Sequence, residues 1–246
     1  MDGDAAKTQL PGVDRVLARL LRSSIGLKAI VAATGLALVL FVLVHMAGHL
    51  QMFELLGGKD AYNAYAHKLQ SLGALKWAAR LGLLGAVGMH IWASLSLVMR
   101  NRAARGTGQV EQKWLAASFA AQTMRATGPL LLFFIVYHLL HFTVMAVSAD
   151  GYPDLQAQLP DGVVVADAYG RMLLAFQQPG LTAIYVVSVA LLGVHLSHGI
   201  QSVFQTLGLN NSVYRPLVQR AGPLLAGLTV TGFAVVPLAI LGGVIR

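Results

Sequence analysis

The chain contains no cysteine and few charged residues. None of its 246 residues is Cys, and Asp, Glu, Lys and Arg together make up only 11 % of them, against roughly 25 % in soluble proteins. The absence of cysteine excludes disulfide bonds, iron–sulfur clusters held by this chain, covalent c-type haem attachment and thiol nucleophiles. The scarcity of charge, together with 56 % hydrophobic residues, indicates an integral membrane protein.

Five apolar stretches are long enough to cross a bilayer, for which a helix needs about 20 residues. They lie at residues 28 to 50, 77 to 99, 127 to 147, 180 to 204 and 222 to 245, and we number them spans one to five. The pattern predicts an all-α integral membrane protein with one domain over residues 1–246, in which the first four spans form a bundle. The polar residues 1 to 14 lead into a basic amphipathic stretch, so we expect an interfacial lead-in helix there and not a cleavable signal peptide.

The net charge of +8 comes from basic residues that are concentrated in alternate connections. Because such residues favour the cytoplasmic side, we expect the N-terminus and the second and fourth connections inside, and the first and third connections and the C-terminus outside. In so apolar a chain this charge marks topology and predicts no nucleic-acid partner. The inner basic residues are Lys7, Arg15, Arg19, Arg22, Lys28, Arg100, Arg102, Arg105, Lys113, Arg125, Arg215 and Arg220, whereas the third connection carries Asp150, Asp154, Asp161 and Asp167.

A repeat is visible in the spans. Span one reads ATGLALVLFVLVH and span three reads ATGPLLLFFIVYH, so His45 and His138 follow an ATG triplet at the same distance. Span two contains GMHIWASLSLV with His90, and span four contains GVHLSHGIQSV with His195. Each of the four helices therefore carries one histidine at a related depth.

Four histidines inside the membrane are costly and indicate function. At 1.5 Å per residue, His45 and His138 lie roughly 20 to 25 Å from the inner face, and His90 and His195 lie a similar distance from the outer face. Two layers of two imidazoles with apolar walls are what b-type haem with two axial histidines requires. The spacing predicts two haem b groups.

Polar side chains near each layer are candidates for contacts with haem propionates or with a quinone, whose carbonyls need hydrogen-bond partners. For a quinone we expect the outer side, and an inner site remains the alternative. The outer candidates are His49, Glu54, His67 and His141, with Lys76 as a further propionate partner, and the inner candidates are Ser23, Ser24, Lys28 and Arg125.

A different class of protein shares the HxxxH and HxxH spacings of this chain. Membrane di-iron desaturases and hydroxylases bind two metals with about eight histidines, and His49, His141 and His198 each follow a deep histidine by one turn. Two features favour haem: the chain has no HH pair, and the predicted topology puts the boxes on opposite sides of the membrane. A proton transporter is disfavoured because the spans contain no Asp or Glu.

Together these motifs resemble the cytochrome b subunit of the succinate dehydrogenase and fumarate reductase family, in its five-helix, two-haem form. The resemblance rests on the two ATG motifs, on AYNAYAHKL in the first connection, on GMH followed by VMR, and on GVHLSHGIQS. It implies that His45 and His138 hold the distal haem iron and that His90 and His195 hold the proximal one. Some fumarate reductase relatives carry a Glu two residues before the fourth ligand, where this chain has Gly193, and this difference modestly favours succinate oxidation.

The resemblance also implies partners and a location. A cytoplasmic flavoprotein subunit would carry FAD and the succinate site, and an iron–sulfur subunit would supply electrons. The chain itself would not be catalytic for succinate and would pass electrons to a quinone, with menaquinone expected. It would lie among the lipids of a bacterial cytoplasmic membrane.

Overall fold

The structure is a computed structural model that describes residues 12, 21, 23–104, 119–147, 152, 154–209 and 211–246. Within these ranges the chain is mostly helical, and five helices are long and apolar enough to cross a membrane. The prediction of five helices that are long and apolar enough to span a membrane is therefore confirmed. The observed helices are Ser24–Leu50, Ala74–Ala104, Phe119–His138, Pro179–Thr206 and Arg215–Leu241, and they keep the names spans one to five.

Capping explains where the observed spans differ from the predicted ones. Span one begins earlier because Ser23 caps it, its hydroxyl accepting a hydrogen bond of 2.9 Å from a backbone N–H of the first turn. Span five begins at Arg215 with Pro216 in its first turn. Proline is tolerated there because the backbone N–H groups of the first turn have no carbonyl partner within the helix, so the missing N–H costs no hydrogen bond. It ends at Leu241, before the predicted residue 245, and the positive φ of +71° at Gly243 turns the chain away from the helix.

Span three changes its helical pitch directly after His138. Beyond Phe119–His138 it continues as a π-helical segment, Leu139–Thr143. A π-helical turn holds an additional residue and redirects the side chains that follow it. His141 is in this segment and is buried, with only 2 % of its surface exposed.

Span four lies at the centre of the bundle. It packs along span five and span three, and span one packs against spans two, four and five. Gly193 receives the side chain of Val230, and Gly232 receives that of Met46, so these glycines let neighbouring helices approach closely. Span five is thus part of the bundle that the sequence predicted for the first four spans.

The first and third connections both contain secondary structure. The first has a 3₁₀ turn, Glu54–Leu56, and a helix, Gly58–Gln70. The third contains an antiparallel hairpin, with Gln156 opposite Ala166, followed by the helix Ala168–Phe176. The hairpin is an exception to the predicted all-α fold. Its strands are Gln156–Gln158 and Val164–Ala166.

A buried hydrogen-bond network joins these two connections at one end of the bundle. Asn63 Nδ2 donates to Asp167 Oδ1 at 2.9 Å, and Tyr169 N donates to Asn63 Oδ1 at 2.9 Å. Asp167 Oδ1 also accepts from Gly170 N and caps the helix Ala168–Phe176. We call this end, with the first and third connections and residues 242–246, the hairpin face. The opposite end, where span two ends, span three begins and the fourth connection lies, is the basic face.

Several predictions fall on residues outside the described ranges. The predicted lead-in helix with Arg15, Arg19 and Arg22 is one of them. The same is true of Lys7, Arg105, Lys113 and Asp150, which contributed to the charge pattern.

Candidate functional site

His90 of span two and His195 of span four face each other across the bundle. Their ring centroids are 6.5 Å apart. A metal–imidazole bond of about 2 Å, with about 1 Å from each nitrogen to its ring centroid, puts the centroids of two trans ligands roughly 6 Å apart. The observed separation therefore fits two axial ligands of one metal ion.

The same two histidines are held by the threonines of the repeated ATG triplets. Thr34 Oγ1 lies 3.1 Å from His90 Nδ1, and Thr127 Oγ1 lies 3.2 Å from His195 Nδ1. Because Nδ1 is used in both rings, Nε2 is the nitrogen left for a ligand. Gly35 allows the His90 ring to lie close to span one, since a Cβ at that position would meet His90 Cε1 at 3.3 Å.

A second pair, His45 of span one and His138 of span three, is nearer the hairpin face. The ring centroids are 5.9 Å apart, again close to the separation of two axial ligands. His138 Nδ1 is buried and has no hydrogen-bond partner among the residues that the structure describes. A buried polar atom without a partner calls for a water, ion or group that completes it. Phe134 and Phe142 of span three contact the His138 ring.

His49 connects this second pair to the first connection. Its Nε2 lies 3.2 Å from His45 Nε2, and its Nδ1 lies 2.9 Å from the hydroxyl of Tyr62. A metal held by His45 Nε2 would require His45 to give up the bond to His49. The His90–His195 pair therefore fits a bound haem iron more directly than the His45–His138 pair does.

The two pairs lie at different depths of the bundle. Thr34 marks the level of His90 on span one, and His45 follows it 11 residues later. The same 11 residues separate Thr127 from His138 on span three. At 1.5 Å per residue both helices give a separation of about 16 Å between the layers.

Each pair joins two helices that are not otherwise closely packed. In the described part of the chain, span two packs mainly on span one and span three mainly on span four. The histidines instead link span one to span three and span two to span four. A Cβ at Gly88, Gly128 or Gly199 would meet no atom within 4 Å. These three positions therefore border open space, and Gly199 lies one turn from His195 along span four.

His141 belongs to a separate aromatic cluster behind the His45–His138 pair. Its Nδ1 lies 2.8 Å from the hydroxyl of Tyr185, and its ring stacks on Tyr137 and Tyr152. Tyr185 also contacts the His138 ring, with centroids 6.0 Å apart. His141 therefore supports the pair from within the core and does not face the surface.

The other outer candidates lie at the surface of the hairpin face. His67 is exposed on the helix Gly58–Gln70, and Glu54 is exposed in the preceding 3₁₀ turn. Lys76 Nζ donates to the backbone oxygen of Gln70 at 2.8 Å. The structure therefore divides the outer candidates into the buried His141, the half-buried His49 and a group near the surface around the first connection.

The inner candidates are found at the basic face. Ser24 and Lys28 are exposed in the first turns of span one, and Arg125 is exposed near the start of span three. Ser23 uses its hydroxyl to cap span one. These side chains are closer along their helices to the His90–His195 layer than to the other layer.

Sequence reasoning missed the partners of the histidines. Thr34 and Thr127 stand in the repeated ATG triplet, so the repeat itself was a signal for them. Tyr62 and Tyr185 come from other elements, and no local pattern places their hydroxyls on His49 and His141.

The geometry bears on the di-iron alternative as well. A di-iron site needs several histidines or carboxylates around one centre. Among the described residues, no group of three or more His, Asp or Glu side chains is arranged to hold a metal ion.

Comparison with protein-family models, with curated proteins and with solved structures finds no match to this chain.

Proposed function

We propose that the chain is the dihaem cytochrome b membrane anchor of a succinate:quinone oxidoreductase. The observation that carries the proposal is the presence of two histidine pairs, each with ring centroids about as far apart as two axial ligands, at two depths of one bundle. His90 and His195 would hold one haem iron, and His45 and His138 the other. When bound, haem b at these two histidine pairs would supply one-electron transfer without substrate chemistry at the iron.

The chain's own residues prepare these sites. Thr34 and Thr127 occupy Nδ1 of His90 and His195. The layers are about 16 Å apart in a hydrocarbon core of about 30 Å, so the two pairs divide the apolar thickness between them. This arrangement suits transfer of electrons along the bundle axis.

The proposal includes partner subunits, because the chain has no cysteine for iron–sulfur clusters. An iron–sulfur subunit and a flavoprotein subunit with FAD would dock at the basic face, next to the His90–His195 layer. Succinate would be oxidised on the flavoprotein, and this chain would be non-catalytic for it. In a bacterial cytoplasmic membrane the basic face would be cytoplasmic, following the distribution of Arg and Lys.

We place the quinone, with menaquinone as the expected type, at the hairpin face. Three features support this side: the exposed His67 and Glu54, the nearby His45–His138 layer, and a surface helix that carries polar groups. Ser24, Lys28 and Arg125 define the competing site at the basic face.

Haem stoichiometry in single-site variants tests the proposal. The purified wild-type complex should contain two b-type haems per chain in a pyridine haemochrome assay. His90→Ala and His195→Ala should each remove the same haem, and His45→Ala and His138→Ala the other. His198→Ala, which changes a histidine one turn from His195, should retain both haems. One haem or none in the intact wild type would refute the proposal, and haem-free protein with two irons would favour the di-iron class.

A further inference from the structure

Thr34 and Thr127 make the same pair of contacts at equivalent positions of the repeat. Thr34 Oγ1 lies 2.6 Å from the carbonyl oxygen of Ile30 in its own helix and 3.1 Å from His90 Nδ1 on span two. Thr127 Oγ1 lies 3.4 Å from the carbonyl oxygen of Met124 and 3.2 Å from His195 Nδ1 on span four. Two helices thus present a hydroxyl to the histidine of the neighbouring helix.

The hydrogen count of a hydroxyl decides the direction of these bonds. A threonine hydroxyl has one proton and two lone pairs. In Thr34 the proton goes to the carbonyl oxygen of Ile30, which is the nearer of the two partners at 2.6 Å, so the hydroxyl accepts from the imidazole and Nδ1 carries the ring proton of His90. In Thr127 the two partners lie at nearly equal distances, and we assign His195 the same tautomer because the repeat places the same groups around it. In a neutral imidazole the other nitrogen, Nε2, then has a free lone pair.

We infer that Thr34 and Thr127 are positioning residues that set the tautomer and the ring orientation of His90 and His195 for axial ligation through Nε2. The inference rests on the proposed function, and it assigns to two threonines a role that they perform through the histidines. A hydrogen bond at the non-coordinating nitrogen fixes the ring and makes the imidazole a stronger electron donor. Thr34 and Thr127 therefore hold the haem of the His90–His195 layer and lower its reduction potential.

The other layer provides an internal reference. Within the described part of the chain, His138 Nδ1 is buried without a hydrogen-bond partner, and His45 is contacted by another imidazole through Nε2. No threonine takes part in either contact. Changes at Thr34 or Thr127 should accordingly affect one haem and leave the other unchanged.

The experiment compares variants with and without the hydroxyl in the purified complex. The Val variants of Thr34 and Thr127 keep the side-chain shape and remove the hydroxyl. The Ala variants remove both the hydroxyl and the methyl group. The Ser variants retain the hydroxyl and remove only the methyl group. Thr229→Val is the matched control, since Thr229 is fully buried in span five and bonds only to the carbonyl oxygen of Leu225 at 2.8 Å. Haem content, redox titration and electron paramagnetic resonance of both haems are measured for each.

The Val and Ala variants should shift the potential of the His90–His195 haem to more positive values, or weaken its binding by about 10- to 100-fold. The Ser variants and Thr229→Val should behave like the wild type, and the second haem should keep its potential. Equal potentials, signals and haem content in the Val, Ser and wild-type proteins would overturn the inference. So would equal loss of haem in the Val, Ala and Ser variants, because packing alone would then explain it. A wild type without two haems would instead refute the proposed function.

Discussion

At the residue scale, the two histidine pairs differ in what holds their rings. His90 and His195 each use Nδ1 on a threonine hydroxyl of a neighbouring helix. His45 and His49 contact each other, and His138 has a buried Nδ1 without a partner in the described ranges. A buried polar group that lacks a hydrogen-bond partner costs about 1 to 3 kcal/mol. Without a bound group, the hydrogen bonding of the His45–His138 layer is therefore less complete than that of the His90–His195 layer.

Gly35 and Gly128 allow the space beside His90 to be tested. They follow Thr34 and Thr127 in the two ATG triplets, but only at Gly35 would a Cβ approach a histidine ring, at 3.3 Å from His90 Cε1. Gly35→Ala should displace that ring by a few tenths of an ångström and reduce the haem content of the His90–His195 layer. Gly128→Ala, whose Cβ meets no atom within 4 Å, is the control and should keep both haems. Equal haem content in the two variants would show that this close approach has no effect on ligation.

Burial raises the pKa of Tyr62 and of Tyr152 above the ordinary tyrosine value, and both lie outside the spans. Because the folded protein holds these phenol protons more tightly than the unfolded chain, their contribution to stability is complete below about pH 10 and falls as the pH rises above it. We expect the free energy of unfolding to decrease in this alkaline range. Circular dichroism during denaturant unfolding at several pH values measures the effect.

Two phenylalanine variants separate this effect from general alkaline damage. Tyr62→Phe should weaken the alkaline loss of stability, although it also removes the hydrogen bond to His49, which is worth about 1 kcal/mol at every pH. Tyr214→Phe changes an exposed tyrosine and should follow the wild-type curve. An identical pH slope in all three proteins would contradict the assigned role of buried tyrosine.

At the scale of elements, the lengths and apolar character of the helices were predictable from the sequence, but their contacts were not. Apolar runs of about 20 residues identify spans without any tertiary information. The hairpin strands Gln156–Gln158 and Val164–Ala166 have three residues each, too few for a periodicity to be recognised. The network of Asn63 and Asp167 joins residues 104 positions apart, and no local pattern encodes such a pairing.

The candidate site was predictable to a similar extent. The common spacing of His45 and His138 after their ATG triplets made two layers visible in the sequence. The π-helical segment Leu139–Thr143 was not predictable, because its residues show no pattern that distinguishes a π-helical turn from the α-helix before it. The threonine contacts depend on the rotation of one helix against another, which hydropathy does not determine.

Asp167 is expected to hold the first and third connections together. Its carboxylate accepts from Asn63 and caps the helix Ala168–Phe176, and 8 % of the residue is exposed. Asp167→Ala removes the cap and leaves Asn63 without this partner, so the hairpin face should lose about 1 to 3 kcal/mol of local stability. Limited proteolysis of the third connection should become faster.

Asp161 supplies the control for this prediction. It is exposed in the hairpin turn, where its side chain accepts from Val163 N at 3.1 Å. Asp161→Ala removes a carboxylate from the same connection without touching the network. If both variants were cleaved as slowly as the wild type, Asp167 would not be the residue that fixes this face.

At the scale of the whole molecule, the bundle separates two chemically different ends. The basic face carries Arg and Lys residues near the His90–His195 layer, and the hairpin face carries the connection helix and the His45–His138 layer. Under the proposed function, electrons enter at the basic face and a quinone is reduced at the hairpin face. Negative charge then moves across most of the membrane, so the reaction becomes sensitive to the membrane potential.

This separation predicts how quinone reduction depends on the membrane potential and on His67. One charge crossing the full potential gains or loses about 2.3 kcal/mol per 100 mV, and movement toward a positive outer side favours reduction of a low-potential quinone by succinate. In sealed vesicles an uncoupler should slow succinate:menaquinone activity and leave succinate oxidation with a soluble artificial acceptor unchanged.

His67→Ala should lower quinone reduction by about 10²-fold, as expected for loss of a proton donor, with both haems retained. Lys68→Ala, an exposed neighbour on the same helix, should not. Full quinone turnover in His67→Ala, combined with loss of turnover in Ser24→Ala or Arg125→Ala, would move the quinone to the basic face, and the dependence on the uncoupler should then disappear.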